Sequence, residues 1–207
     1  MKKRLAFLQR PAALAGLVAV AGLLASCGGG NPLSNPDSVE NPPQTSGQKL
    51  SFIYFQKCIN PIFLAELQIN QNGVISTNTC ASSGCHDNTN GTGGALRIVQ
   101  DAVEVDLADA ANTPDAIRLL DMYKNFYSAQ GSTIVGAAHS SKLLNKPLVD
   151  GVLHGGGLIF ESMADENAKR MEYWINHPVP QGQDEFGPSG NNMFTPPDPA
   201  TGVCNLQ

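Results

Sequence analysis

Two cysteines and a histidine in the run Cys80-Ala81-Ser82-Ser83-Gly84-Cys85-His86 are the residue types that covalent attachment of a c-type haem requires. In the common form, Cys-x-x-Cys-His, the sulfurs add to the two haem vinyl groups and the following histidine ligates the iron from one face. Here four residues separate the thiols, while the Cys85-His86 step keeps its usual spacing. Ala81, Ser82, Ser83 and Gly84 are small, and Gly84 can take conformations closed to other residues, so the surplus can bulge outward. The same residues admit two other chemistries: a local Cys80–Cys85 disulfide beside a surface His86, or a zinc site. Structural zinc takes four Cys or His ligands in close pairs, and the chain offers no further Cys-x-x-Cys or His-x-x-x-His pair.

A haem iron also presents a second axial position, and what fills it separates electron transfer from ligand binding or peroxide chemistry. The candidates are His139, His154, His177, Met122, Met163, Met171 and Met193. Met171 lies beside Tyr173 and Trp174 and reads as core; His177 reads as a cap at a helix end; His139 reads as a turn residue. His154 differs because Gly155, Gly156 and Gly157 follow it, and backbone without side chains can pass close against a flat ring. Met193, in a proline-rich loop, is the second choice. His-Gly-Gly-Gly also occurs as an oxyanion-hole segment of esterases, but that use needs a Gly-x-Ser-x-Gly elbow, which the chain lacks.

The elements that must position these residues are read from periodicity and caps. Leu50 to Asn60 is an apolar segment predicted as a helix ending before Pro61. A loop rich in Asn, Gly and Thr leads to Cys80, and another runs from Asp87 to Gly94. Thr113-Pro114 opens a helix whose apolar residues, Ala116, Leu119, Leu120, Tyr123, Phe126 and Tyr127, keep helical spacing. Ser140 to Lys146 is a short helix. Ser162 to Asp165 reads as a capping box opening a helix to Ile175 or Asn176. The last thirty residues, rich in Pro and Gly, form an irregular wrap. With no alternation long enough for a sheet, the expected fold is mostly α, with long irregular loops.

Residues 1–26 join a basic start to a short apolar core and small residues, the pattern of a secretory leader. Leu24-Ala25-Ser26-Cys27 resembles the lipobox of bacterial lipoproteins, which implies cleavage before Cys27 and its acylation; Gly28 after it implies the outer membrane of a Gram-negative envelope. Residues 27–48 read as a flexible tether of Gly, Asn, Pro and Ser, and 49–207 as one small domain. Four of the thirteen basic residues (Lys2, Lys3, Arg4, Arg10) and none of the eighteen acidic ones lie in the leader, which leaves nine basic residues against eighteen acidic. Such a surface repels nucleic acid and favours basic partners. Of five cysteines, lipid at Cys27 and haem at Cys80 and Cys85 leave only Cys58 and Cys204, which an oxidising compartment would pair. A chain with two disulfides satisfies parity equally well.

The order of Phe55-Gln56-Lys57-Cys58-Ile59-Asn60-Pro61-Ile62-Phe63, the Cys80–His86 run, Gly93-Gly94-Ala95-Leu96-Arg97-Ile98, Ser141 to Leu148, His154 to Gly157 and Tyr173-Trp174-Ile175 resembles single-haem cytochrome c domains of bacterial lipoproteins, including those similar to planctomycete-type cytochrome c domains. The resemblance implies a small cytochrome c-like helical domain with one covalent haem c. Cys80 and Cys85 would form the thioethers, His86 would be the proximal ligand and His154 the distal one. It further implies single-electron transfer with redox proteins of the envelope and no catalytic residue. The alternative is a non-catalytic, disulfide-stabilised surface lipoprotein that binds a partner.

Overall fold

The computed structural model describes residues 47–207; the leader, Cys27 and the tether up to residue 46 lie outside the described residues. Six α-helices and two small antiparallel sheets make up the described part, so the fold is mixed α/β. The expectation of a mostly α, cytochrome c-like domain is overturned. No described helix is long and apolar enough to cross a membrane.

The first helical segment corrects the expected stop at Pro61. Helix α1 (Phe52–Tyr54) passes through a π-helical turn (Phe55–Ile59) into α2 (Asn60–Leu64). Proline has no N–H to donate, but Pro61 falls in the opening turn of α2, where an N–H is not needed, and the wide turn before it lets the Asn60 N–H reach the Phe55 carbonyl. Ser51 caps α1, its Oγ accepting from the Tyr54 N–H at 3.3 Å. Phe52, Tyr54, Phe55, Ile59 and Phe63 are all buried.

Around this segment pack α3 (Pro114–Ile117), α4 (Asp121–Gln130), α5 (Lys142–Leu148) and α6 (Glu166–Asn176). Thr113 caps α3 as expected, accepting from the Ala116 N–H at 3.3 Å. The break between α3 and α4 then shifts the helical phase. Ile117, Met122, Phe126 and Ala129 are buried, whereas Leu119 and Tyr127, expected on the apolar face, are exposed. Helix α6 is capped by Asp165 rather than from Ser162, the Asp165 carboxylate accepting from the Asn167 and Ala168 N–H groups at 2.7 and 3.3 Å. At its other end the His177 ring Nδ1 lies 2.8 Å from the Tyr173 carbonyl, the capping role read from the sequence.

The core joins Phe52, Phe55 and Phe126 to Trp174, whose indole N–H donates to the Ser51 carbonyl at 2.9 Å. Strands β3 (Phe194–Thr195) and β4 (Val203–Cys204) pair so that Cys204 faces Phe194, and Cys204 is disulfide-bonded to Cys58. Buried amides hold the irregular segment near residues 99–105: Gln56 exchanges two hydrogen bonds with the Val105 backbone, and Asn125 two with that of Val99.

The loop expected before Cys80 is instead a hairpin, β1 (Leu67–Gln71) and β2 (Val74–Asn78), with Leu67 opposite Asn78 and Gln71 opposite Val74. Its two turn residues, Asn72 and Gly73, both have positive φ, 55° and 86°. That is the type I′ turn, which matches the twist of the strands and which Asn-Gly favours.

Candidate functional site

Phe63 at the end of α2 anchors the cysteine motif: its carbonyl accepts the Ala81 N–H at 3.1 Å, with Ala81 itself buried. Strand β2 delivers the chain to Cys80. From there the Cys85 N–H donates to the Ser82 carbonyl and the His86 N–H to the Cys80 carbonyl, both at 2.9 Å. These bonds close the long spacing into a compact loop with Ser83 and Gly84 exposed at its outside, the outward bulge expected of the extra residues. Neither Cys80 nor Cys85 is disulfide-bonded. Burial, reinforced by the neighbouring Cys85, pushes the Cys80 thiol up to about 11, so it is not a thiolate nucleophile at neutral pH.

His86 is held by the segment that follows it. Its Nδ1 lies 3.1 Å from the Leu96 carbonyl, and the Ile98 N–H donates to its own carbonyl at 2.8 Å. A Cβ on Gly93 would lie 2.6 Å from the His86 ring, so this packing requires glycine. A carbonyl can only accept, so Nδ1 carries the proton and Nε2 is the nitrogen with a free lone pair in the neutral ring. Burial lowers the His86 pKa, outweighing the Leu96 carbonyl, and His154, Arg97 and Lys146 push it the same way, which favours that neutral ring.

His154 is held by the hairpin. Its Nδ1 lies 2.8 Å from the Gly157 carbonyl. Asn70 of β1 exchanges backbone hydrogen bonds with Leu158 at 2.8 and 2.9 Å, and the Gln71 side chain donates to the Gly155 carbonyl at 3.0 Å. Gly157 has φ 80°, and a Cβ there would lie 2.6 Å from the Asn70 carbonyl oxygen. The tetrad thus seats its backbone against β1.

The two imidazoles meet across one cavity of about 520 Å³ whose lining includes Cys80, Cys85, His86 and His154. Their planes are within 13° of parallel and their centroids 6.3 Å apart. Two imidazole–metal bonds of about 2 Å each, plus the ~1.1 Å from each ring centre to its nitrogen, add to about the same span. Apolar walls come from Phe63, Leu67, Ile69, Leu143, Ile159 and Phe160, and the volume falls in the range of cofactor pockets, about 300–1,000 Å³. Comparison of the chain with family models, curated proteins and solved structures finds no match.

Among the described residues no three His, Cys, Asp or Glu side chains converge on one point as a tetrahedral metal site needs. Two opposed imidazoles suit a metal whose remaining ligands come from a flat ring, so the residues present fit a haem. The other histidines lie elsewhere, with His139 2.9 Å from Glu172 and His177 stacked on Tyr173. Of the methionines, Met171 lines the cavity, whereas Met193 is buried in the core outside its lining. Sequence reasoning missed the hairpin, Gly93 and the Leu96 carbonyl. Asn72-Gly73 between alternating apolar residues was a readable hairpin signal; a backbone carbonyl leaves none.

Proposed function

We propose that the protein is a c-type cytochrome lipoprotein that carries one covalent haem and passes single electrons in the cell envelope. The observation that supports this reading most is the His86–His154 pair: parallel, a metal-bridging distance apart, each with Nδ1 tied to a carbonyl and Nε2 left to ligate. On this reading Cys80 and Cys85 would hold the haem covalently, and His86 and His154 would hold its iron. Bound haem would supply reversible one-electron chemistry. The chain's own part is to orient both imidazoles through their Nδ1 contacts and to keep water off the cavity behind apolar walls. Two nitrogen ligands favour a lower reduction potential than a nitrogen–sulfur pair. The unbonded state of Cys80 and Cys85 beside the formed Cys58–Cys204 bridge favours this reading over the disulfide-stapled surface lipoprotein. Acylation at Cys27 would tether the domain to the membrane, with basic redox proteins as partners.

The test is intact mass with a pyridine haemochrome spectrum on the chain exported alongside a haem maturation system. A mass gain of one haem with the spectrum of a doubly linked haem is expected. Apoprotein mass under those conditions overturns the reading.

A further inference from the structure

The cavity carries a second kind of polar group that neither iron ligation nor thioether formation uses. Lys142 and Lys146 sit four residues apart on α5 and both line it, a spacing that puts two side chains on one helix face with Cβ atoms about 5–6 Å apart. Lys49, Lys57 and Lys124 each pair with a carboxylate; among the described lysines Lys142, Lys146 and Lys169 have no such pair, and of these three only Lys142 and Lys146 line the cavity. No Asp or Glu lines the cavity at all, although the whole chain carries eighteen acidic residues against thirteen basic ones. Two cations on a wall that is largely apolar, with neutral polar groups from Asn78, Thr79, Thr92 and Ser132 and no carboxylate, are complementary to a flat apolar ligand that bears two carboxylates.

We propose that Lys142 and Lys146 form the subsite for the carboxylate edge of the macrocycle, pairing with its two propionate groups. This rests on the haem reading and adds to it the chemistry that orients the ligand. Helix α5 is fixed for the role: the Leu143 N–H donates to the Ser132 carbonyl at 2.9 Å, and the Pro147 carbonyl accepts from Ile159 and Phe160 at 2.8 and 3.1 Å, which joins the helix to the segment leaving the His154 loop.

Metal-free protoporphyrin IX and its dimethyl ester share shape and apolar surface and differ in the two charges, so they separate the subsite from the cavity. Each is titrated into the full chain exported without haem maturation proteins, in matched detergent, and binding is followed by porphyrin fluorescence. The free acid is expected to bind at least ten-fold more tightly than the ester. Lys142→Gln/Lys146→Gln should erase that preference while leaving ester affinity unchanged, and Lys142→Glu/Lys146→Glu should reverse it. Equal binding of acid and ester to the natural chain, or a preference that survives the double glutamine variant, overturns the lysine subsite and leaves the haem reading standing. Binding of neither compound also overturns the lysine subsite, while the haem reading stands or falls by the mass measurement.

Discussion

The two histidines that face each other are held by opposite strategies. His86 is positioned within one short stretch: Cys80, Gly93, Leu96 and Ile98 supply its backbone and ring contacts from at most twelve residues away. His154 depends on β1, whose Asn70 and Gln71 lie some eighty residues earlier in the chain. Local closure sets the ring contacts of the His86 half, and Phe63, Asn125 and Ser128 tie that stretch to α2 and α4. The His154 half exists only once the hairpin has docked, so it is the half that a distant substitution can loosen, and opening of a ligand position by local unfolding belongs there.

The largest effects should come from the two proposed ligands. With haem attached, His86→Ala is expected to abolish the low-spin absorption spectrum, whereas His154→Ala should convert six-coordinate low-spin iron to a high-spin or water-ligated form. An unchanged spectrum in the second variant would break the comparison, because His154 would then not be a ligand.

Cys58→Ser tests the scaffold common to both halves. Loss of the bridge to Cys204 should lower unfolding free energy by about 2–5 kcal/mol in a denaturant titration, with haem still attached by mass. Glu185, 1% exposed, tests the same scaffold by pH. Burial alone would raise its carboxyl; hydrogen bonds from Lys49 at 2.8 Å, from the backbone, from Tyr123 at 2.9 Å and from Arg118 outweigh it and hold the group at about 2, below an ordinary 4.5. A depressed folded-state value stabilises the fold above the unfolded one, so this contribution is complete above pH ~4.5 and disappears as pH falls towards ~2. Such a shift is equivalent to about 3 kcal/mol. Glu185→Gln should flatten acid unfolding across that window, and an unaltered acid limb would exclude Glu185 as its cause.

Smaller changes sharpen the contrast between the halves. Gly93→Ala drives a methyl into the His86 ring and Gly157→Ala drives one into the Asn70 carbonyl from a φ of 80°; each should cost about 1–3 kcal/mol. The first should perturb haem attachment, read by mass. The second should leave attachment intact and raise the high-spin fraction, read by absorption. The smallest effect is expected at Arg97, whose guanidinium donates at 3.0 Å to the same Leu96 carbonyl that His86 uses. In Arg97→Gln that carbonyl becomes a stronger acceptor for Nδ1–H and a positive charge leaves, both of which favour ferric iron. The reduction potential should therefore fall, and a rise would contradict the role given to Leu96.

How much was legible follows the range of the interactions. Thr113, His177 and the bulge at Ser83 and Gly84 were readable because each acts on backbone a few residues away. The stripe from Ala116 to Tyr127 was misread because the break after Ile117 resets the helical phase, so Leu119 faces water while Met122 is buried. The helix through Pro61 was missed because a π turn has no compositional mark. Asn72-Gly73 was a local signal that went unused, and with it the mixed character of the fold.

The sequence by itself supplied the candidate donor atoms: two thiols, the adjacent His86, the glycine-flanked His154 and the candidate pair Cys58 and Cys204. Residue type sets what an atom can ligate or link, and spacing sets which local loops can close. Only the tertiary structure decided that His154 faces His86 at 6.3 Å, that Leu96 and Gly157 hold their rings, and that Lys142 and Lys146 share their cavity. The physical reason is that parallel rings on opposite walls require contacts between segments about seventy residues apart. Those contacts run through backbone carbonyls, which every residue has and no sequence pattern distinguishes.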